Sequence, residues 1–366
     1  MSVLSIKKYF PYLIVFLLSL SGVCSTFLPT VTKLLQGVLC ICCFFSVVKQ
    51  FNSLTKVCKR LILLASLFSI FFLIYYIGDW ISLYNVATSF YIIIYIAVYF
   101  VNLQNGKEII QKSFVAIIIL NLIALIYELS TGNLLVKLPE GYESFVGNKI
   151  YHFGLFPDAK MGGMAIALMA IVLYPAHNKI IVIAFLETII SGCRTSSVLM
   201  LLPFLLSLVH TGKYFISAFI TLVFILIFYI GVLIDFDVNV LLRLINALNI
   251  ADKGNEERLF FMERHLDIWH DKYDIIEMIF GKYSYSRSIV GNGAESFWVS
   301  TLMDGGLLTV VFYMVGFCNS PWKFQGFYNR LMQIIIFSLM IVSGIGGGIV
   351  SGYIFWYYLL SPKKYS

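Results

Sequence analysis

DFDVNVLLRLINALNIADKGNEERLFFMERHLDIWHDKYDIIEMIFGKYSYSRSIVGNGAE, from Asp235 to Glu295, is the only long stretch of this chain suited to water. Acids and bases alternate through it, from Asp235 and Arg243 to Arg287 and Glu295. On both sides the chain is apolar in runs long enough to cross a bilayer. That layout describes a membrane protein with one large polar loop. Loops held on a rigid scaffold commonly carry function, and a structureless connector of this length is uncommon.

The totals agree. The 366 residues are 60% hydrophobic and 12% charged, with mean hydropathy +0.89. A soluble domain carries about 25% charged residues, so this chain lacks the polar surface to cover itself. One membrane domain over residues 1–366 is expected. The net charge of +7 does not point to nucleic acid, because the basic residues form no single patch. The seven cysteines (Cys24, Cys40, Cys42, Cys43, Cys58, Cys193 and Cys318) avoid the polar loop. They read as small apolar residues rather than a disulfide or metal framework. No metal or other cofactor is expected.

A helical span needs about 20 mainly apolar residues. Spans are expected near 11–28, 34–48, 61–78, 84–101, 113–129, 161–176, 179–192, 196–210, 214–234, 296–317, 330–345 and 349–361. This is an all-α polytopic bundle of about twelve spans. The apolar run after Lys7 and Lys8 reads as a first span rather than a cleaved signal. If the N-terminus is cytoplasmic, the cytoplasmic segments hold Lys7, Lys8, Lys49, Lys56, Lys59, Arg60, Lys107, Lys112, Lys179, Lys213, Lys323, Arg330, Lys363 and Lys364, with Glu108 their one acid. This is the positive-inside pattern. Both termini are then cytoplasmic, and the 235–295 loop lies outside with a smaller loop at 130–160.

The smaller loop is rich in glycine and aromatic residues and reads as irregular. In the large loop, Leu259, Met262, Leu266, Trp269, Tyr273, Ile276 and Ile279 recur at spacings of three and four. The pattern predicts one amphipathic helix from Glu256 to Phe280, opened by acids and ended by Gly281. Such a helix lies along the membrane surface or caps the bundle.

Arg194 sits between two apolar runs, in Ser191-Gly192-Cys193-Arg194-Thr195. An arginine at mid-bilayer costs about 2.5–3.5 kcal/mol even on the lenient scale. It therefore belongs at the outer interface or in a wet cavity. Its fork of donors suits a phosphate, although a snorkelling anchor satisfies the same composition. Glu187, seven residues earlier, shares its helical face and reads as a structural ion-pair partner. Asp304 is acidic within a span, which marks a functional candidate by default. Arg258 and Arg264 are about 240° apart on a helix. There is no P-loop, no dinucleotide fingerprint, no nucleophile elbow and no H-E-x-x-H.

Four segments, in order, resemble the bacterial O-antigen polymerase and ligase superfamily. They are Tyr127-Glu128-Leu129-Ser130-Thr131-Gly132 with Phe153-Gly154-Leu155-Phe156-Pro157-Asp158-Ala159; the Ser191–Thr195 hairpin; Glu257-Arg258 with Trp269 and Phe280-Gly281; and Glu295-Ser296-Phe297-Trp298 through Asp304-Gly305-Gly306-Leu307. The resemblance implies a GT-C-like glycosyltransferase of the bacterial inner membrane. Its substrate would be an undecaprenyl-diphosphate-linked oligosaccharide, with a flippase and a chain-length regulator as partners beside the membrane lipids. It implies Arg194 and Arg258 as diphosphate contacts. Beside them Glu295 is expected as general base, with Arg264, His152 and Asp304 also binding substrate. Ligases of the superfamily carry a histidine in the closing motif, where this chain has Gly293-Ala294-Glu295. That departure favours a repeat-unit polymerase of O-antigen or capsule. The ligase is the alternative, and a transporter of lipid-linked or anionic solutes is the alternative of another class. A transporter would gather polar residues at the midplane, whereas here they gather at one outer face.

The charge pattern makes a topological prediction. Cysteines placed at Lys56 and Lys323 should label only from the cytoplasm, and at Glu140 and Asn255 only from outside. Labelling of positions 140 and 255 from opposite sides would break the span order.

Overall fold

The computed structural model describes residues 3–20, 29–135, 154–156, 159–174, 176–191, 193–210, 212–213, 216, 253–294, 296–320, 327–343 and 349–361. Among these the chain is helical, with no strand. The helices are α1 (Val3–Ser19), α2 (Pro29–Lys49), α3 (Lys56–Tyr75), α4 (Trp80–Asn102, with a π-turn at Ala87–Tyr91), α5 (Gly106–Thr131), α6 (Ala159–Leu173), α7 (Asn178–Ile190) and α8 (Arg194–His210). They continue with α9 (Lys253–Lys272), α10 (Ile275–Phe280), α11 (Tyr285–Val290), α12 (Phe297–Asn319), α13 (Phe327–Val342) and α14 (Ile349–Leu360). Five are long and apolar enough to cross a membrane: α2, α3, α4, α5 and α12. α1, α6, α8, α13 and α14 are apolar but shorter. The span expected at 214–234 lies outside the described residues, apart from residue 216.

The chain divides into two compact units, one of residues 1–36 and 107–252, the other of residues 37–106 and 253–366. In the first, α6, α7 and α8 pack on one another. α6 is buried almost all round from Gly162 to Leu173, as expected of an interior helix.

In the second unit α14 is the interior helix. Every residue from Ser351 to Leu360 is buried, and its main neighbour is α4. At about 1.5 Å per residue it is roughly 18 Å long, short of the ~30 Å hydrocarbon core. Gly316 of α12 faces Trp356, whose ring occupies the place where a Cβ would stand. Small residues at such crossings let helices approach, and the gain in lipid is dispersion rather than water release. Phe312, Tyr313, Tyr91 and Trp356 build an aromatic cluster around that crossing.

Local sequence explains the ends. Thr55, Asp79 and Ser296 cap α3, α4 and α12 by accepting from the backbone N–H of Cys58, Ser82 and Val299. The single amphipathic helix expected over 256–280 is two helices. Asp274 accepts from the Glu277 N–H at 2.8 Å, and Glu277 accepts from the Asp274 N–H at 3.2 Å. This capping box starts α10 where hydrophobic periodicity alone continues unbroken. Gly281 ends α10 as expected, at φ 76°.

α12 is interrupted at Gly306, which has φ 66° and ψ −175°. The contact with α10 explains the break. A Cβ on Gly281 would lie 2.5 Å from the backbone nitrogens of Gly305 and Gly306, and one on Gly306 would collide with the Ile279 carbonyl. Gly281→Ala and Gly306→Ala should each cost more than about 3 kcal/mol, from left-handed strain plus backbone collision. Gly291 has φ 85° with open space around it, so Gly291→Ala should cost only about 1–2 kcal/mol. Denaturant unfolding in detergent measures the difference; equal losses would remove the contact as the cause.

Candidate functional site

The first unit assembles a polar knot inside apolar helices. Asn121 and Glu128 stand two turns apart on α5 and share a face; they are 3% and 0% exposed. The Glu128 carboxylate accepts from the N–H groups of Leu135 and Gly154, both at 3.0 Å. Asn121 Oδ1 accepts from the Leu155 N–H at 2.9 Å, and its Nδ2 donates to Glu187 Oε2 at 2.7 Å. Gly154 has φ 60°, and a Cβ there would strike Asn121 Oδ1. Only glycine brings this segment so close.

The Ser191–Thr195 hairpin joins the same assembly. A Cβ on Gly163 would stand 2.6 Å from Ser196 Oγ and 2.8 Å from Cys193 Cβ. Ser196 Oγ donates to the Cys193 carbonyl, and Ser197 Oγ to that of Thr188. Arg194 is the first residue of α8, and its side chain lies outside the described residues. The ion pair expected between Glu187 and Arg194 lies outside the described residues, because the Arg194 side chain does. The observed partner of Glu187 is Asn121, and Glu187 Oε1 is buried without a hydrogen bond among the described residues.

The second unit builds its site around the interruption of α12. The Met303 carbonyl accepts from the Lys282 N–H at 2.8 Å and from Tyr273 Oη at 3.4 Å. The Gly305 carbonyl accepts from Thr309 Oγ1 at 2.6 Å, and that hydroxyl is 2.7 Å from Tyr91 Oη. Tyr76 Oη donates to the Gly281 carbonyl at 3.3 Å and accepts from the Tyr283 N–H at 3.1 Å. Asp304 Oδ1 accepts from the N–H of Ser284 at 2.8 Å; Ser284 is in the left-handed region at φ 60°. Burial raises the Tyr76 and Tyr273 phenols above their ordinary range, so both remain hydroxyl donors.

His265 of α9 is 1% exposed. Its Nε2 lies 2.9 Å from the Asn292 carbonyl. A carbonyl only accepts, which assigns the proton to Nε2. Among the described residues Nδ1 is buried with no partner. Burial holds the imidazole below its ordinary pKa, and the Arg287 charge adds to this against the Asn292 carbonyl.

The sequence-derived candidates divide accordingly. Arg194 belongs to the first unit; Arg258, Arg264 and Asp304 belong to the second. Arg258 is half-buried on α9 and Arg264 is exposed on the same helix, as their angular separation requires. The Arg264 guanidinium lies 5.7 Å over the Phe260 ring. It lines a groove of about 470 Å³ with Phe261, Asp267, Asp271, Lys272 and Ile289. Asp304 holds α11 onto α12 through the Ser284 N–H. Glu295 and His152 lie outside the described residues.

Sequence reasoning assigned no site role to Asn121, Tyr76, His265 or Arg287. Asn121 was detectable as an amide inside a span. The others depend on contacts between distant segments. Comparison of the chain with protein-family models, curated proteins and solved structures returns no match.

Asp304 makes a separable prediction. Asp304→Asn keeps an acceptor for Ser284 and should change stability by less than about 1 kcal/mol, whereas Asp304→Ala strands that N–H and should cost about 1–3 kcal/mol. If unfolding finds asparagine as damaging as alanine, the charge rather than the hydrogen bond does the holding.

Proposed function

We propose that this chain is a polysaccharide repeat-unit polymerase of the bacterial inner membrane. In this reading it has about twelve spans, a GT-C-like arrangement, cytoplasmic termini and its working face outside. The observation that carries the reading is the ordered set of motif segments, which are also the places where each unit ties itself together. Glu128 meets Gly154, the Ser191–Thr195 hairpin meets Gly163, and Gly281 meets Gly305 and Gly306.

The reaction joins two lipid-linked glycans. A hydroxyl at the non-reducing end of one unit attacks the anomeric carbon of the growing chain. The bond from that carbon to the diphosphate oxygen breaks, a glycosidic bond forms, and undecaprenyl diphosphate departs. Arg194 and Arg258, with Arg264, stabilise the charge on the departing diphosphate. Glu295 takes the hydroxyl proton. His152 and Asp304 complete the substrate-binding set, Asp304 by holding the loop rather than by touching sugar. Membrane lipids, a flippase and a chain-length regulator complete the partners.

The glycan of a deletion strain tests the reading. Lipopolysaccharide capped with a single unit is expected; free lipid-linked polymer would mean a ligase, and an unaffected envelope would end the glycosyltransferase reading. In purified enzyme Arg194→Ala and Arg258→Ala should abolish polymer, and lysine should restore it only in part because it lacks the bidentate fork. Glu295→Gln should bind substrate normally and turn over at least ~10²-fold slower. Near-normal turnover would assign the base elsewhere.

A further inference from the structure

Arg287 lies on α11, between the α12 interruption and the Asn292-Gly293-Ala294 turn that leads into the closing motif. Its position is built. At one end the Ser284 N–H is held by Asp304, and the Lys282 N–H by the Met303 carbonyl. At the other, Gly291 closes α11 at φ 85° with its N–H on the Arg287 carbonyl at 2.8 Å. The turn beyond is fastened to α9 by His265.

The guanidinium itself is exposed and makes no hydrogen bond or ion pair among the described residues. Other cations nearby are engaged. Lys282 Nζ is 2.5 Å from Glu277 Oε1 and lies 4.1 Å over the Tyr285 ring. Arg264 shares its groove with Asp267 and Asp271, which repel an anion. Among the described residues, a Cβ at Gly293 would meet only Arg287 Nε and Nη2, both at 3.9 Å, and one at Gly291 would meet nothing. Burial and the Arg287 charge hold the neighbouring His265 below its ordinary pKa, and its Nδ1 has no partner among the described residues. A clamped backbone and a planar fork that makes no hydrogen bond among the described residues suit a phosphoryl group, against the opposing charge of the nearby Asp304 carboxylate.

We infer that Arg287 is a further substrate-binding residue, a guanidinium contact for the diphosphate of the lipid-linked substrate; this rests on the polymerase reading. It acts with Arg258 on the second unit and supplies charge next to the Asn292–Ala294 turn. A phospholipid headgroup offers the same phosphoryl oxygens, and the test separates the two sources.

Full-length protein in phosphatidylcholine nanodiscs is titrated with farnesyl diphosphate, with farnesol as the uncharged control. Arg287→Gln should weaken diphosphate binding roughly ten- to hundredfold, the scale of losing charge-assisted hydrogen bonds, and leave farnesol binding unchanged. Arg287→Lys should fall between. Wild-type affinity in Arg287→Gln overturns the inference and leaves the polymerase reading standing. A wild-type protein that binds no farnesyl diphosphate removes both. If the substitution alters only the retention of phosphatidylglycerol added to the discs, Arg287 is a headgroup anchor and the inference fails. Should Arg287→Gln not fold, wild-type affinity in Arg287→Lys overturns it equally, because lysine cannot reproduce the fork.

Discussion

The second unit depends on one backbone contact, that of Gly281 with Gly305 and Gly306. A helix interrupted within an apolar span leaves carbonyls and N–H groups unpaired, and lipid offers them nothing. Here the interruption is answered by another piece of chain. The Lys282 N–H and Tyr273 hydroxyl reach Met303, and the Thr309 hydroxyl turns back to Gly305. The close approach that permits this needs no Cβ on either side. The α10–α11 segment is therefore part of the fold rather than a tether between spans.

The first unit solves a related problem with side chains. The segment at Gly154-Leu155 has N–H groups that no helix satisfies, and Glu128 and Asn121 reach out of α5 to take them. Asn121 also spends its amide on Glu187. A buried carboxylate tied to neutral donors is expensive to desolvate and is kept only where its hydrogen bonds are well made. The knot specifies how one irregular segment seats on α5 and α7. Both units thus use polar groups in apolar surroundings to fix a loop, one through glycine backbone and one through carboxylate and amide.

The sequence made the helices legible because lipid makes hydropathy a nearly direct record of position. α2 to α5 and α12 overlap the expected spans, whereas α14, expected as a span at 349–361, is a helix of only 12 residues. Asp274 was misread because a capping box overrides periodicity; the D-x-x-E spacing stood in the text, but the apolar pattern ran through it. Helical spacing pointed Glu187 at Arg194 and could not see Asn121 on another helix, which takes one of its oxygens. The glycines of the motif segments drew notice as a pattern, and their physical reason emerged only with the contacts. Arg287 carried no pattern at all. Its significance comes from what surrounds it and from what does not.

Depth along α12 links this architecture to the proposed chemistry. Gly306 is nine residues beyond Phe297, or roughly 13 Å at 1.5 Å per residue. The docked Gly281–Ser284 segment therefore sits well down the helix from its N-terminus, beside apolar surface such as Ile275 and Ile279 that is exposed on α10. On the polymerase reading, a polyprenyl diphosphate has its chain in hydrocarbon and its charge at the boundary. A loop that stayed in water would meet only the sugars. A loop drawn down onto an interrupted span brings arginines to the level of the phosphates, with its own backbone already satisfied. The glycine contact is then the condition for placing charge at that depth, since every polar group it lowers must arrive with a partner.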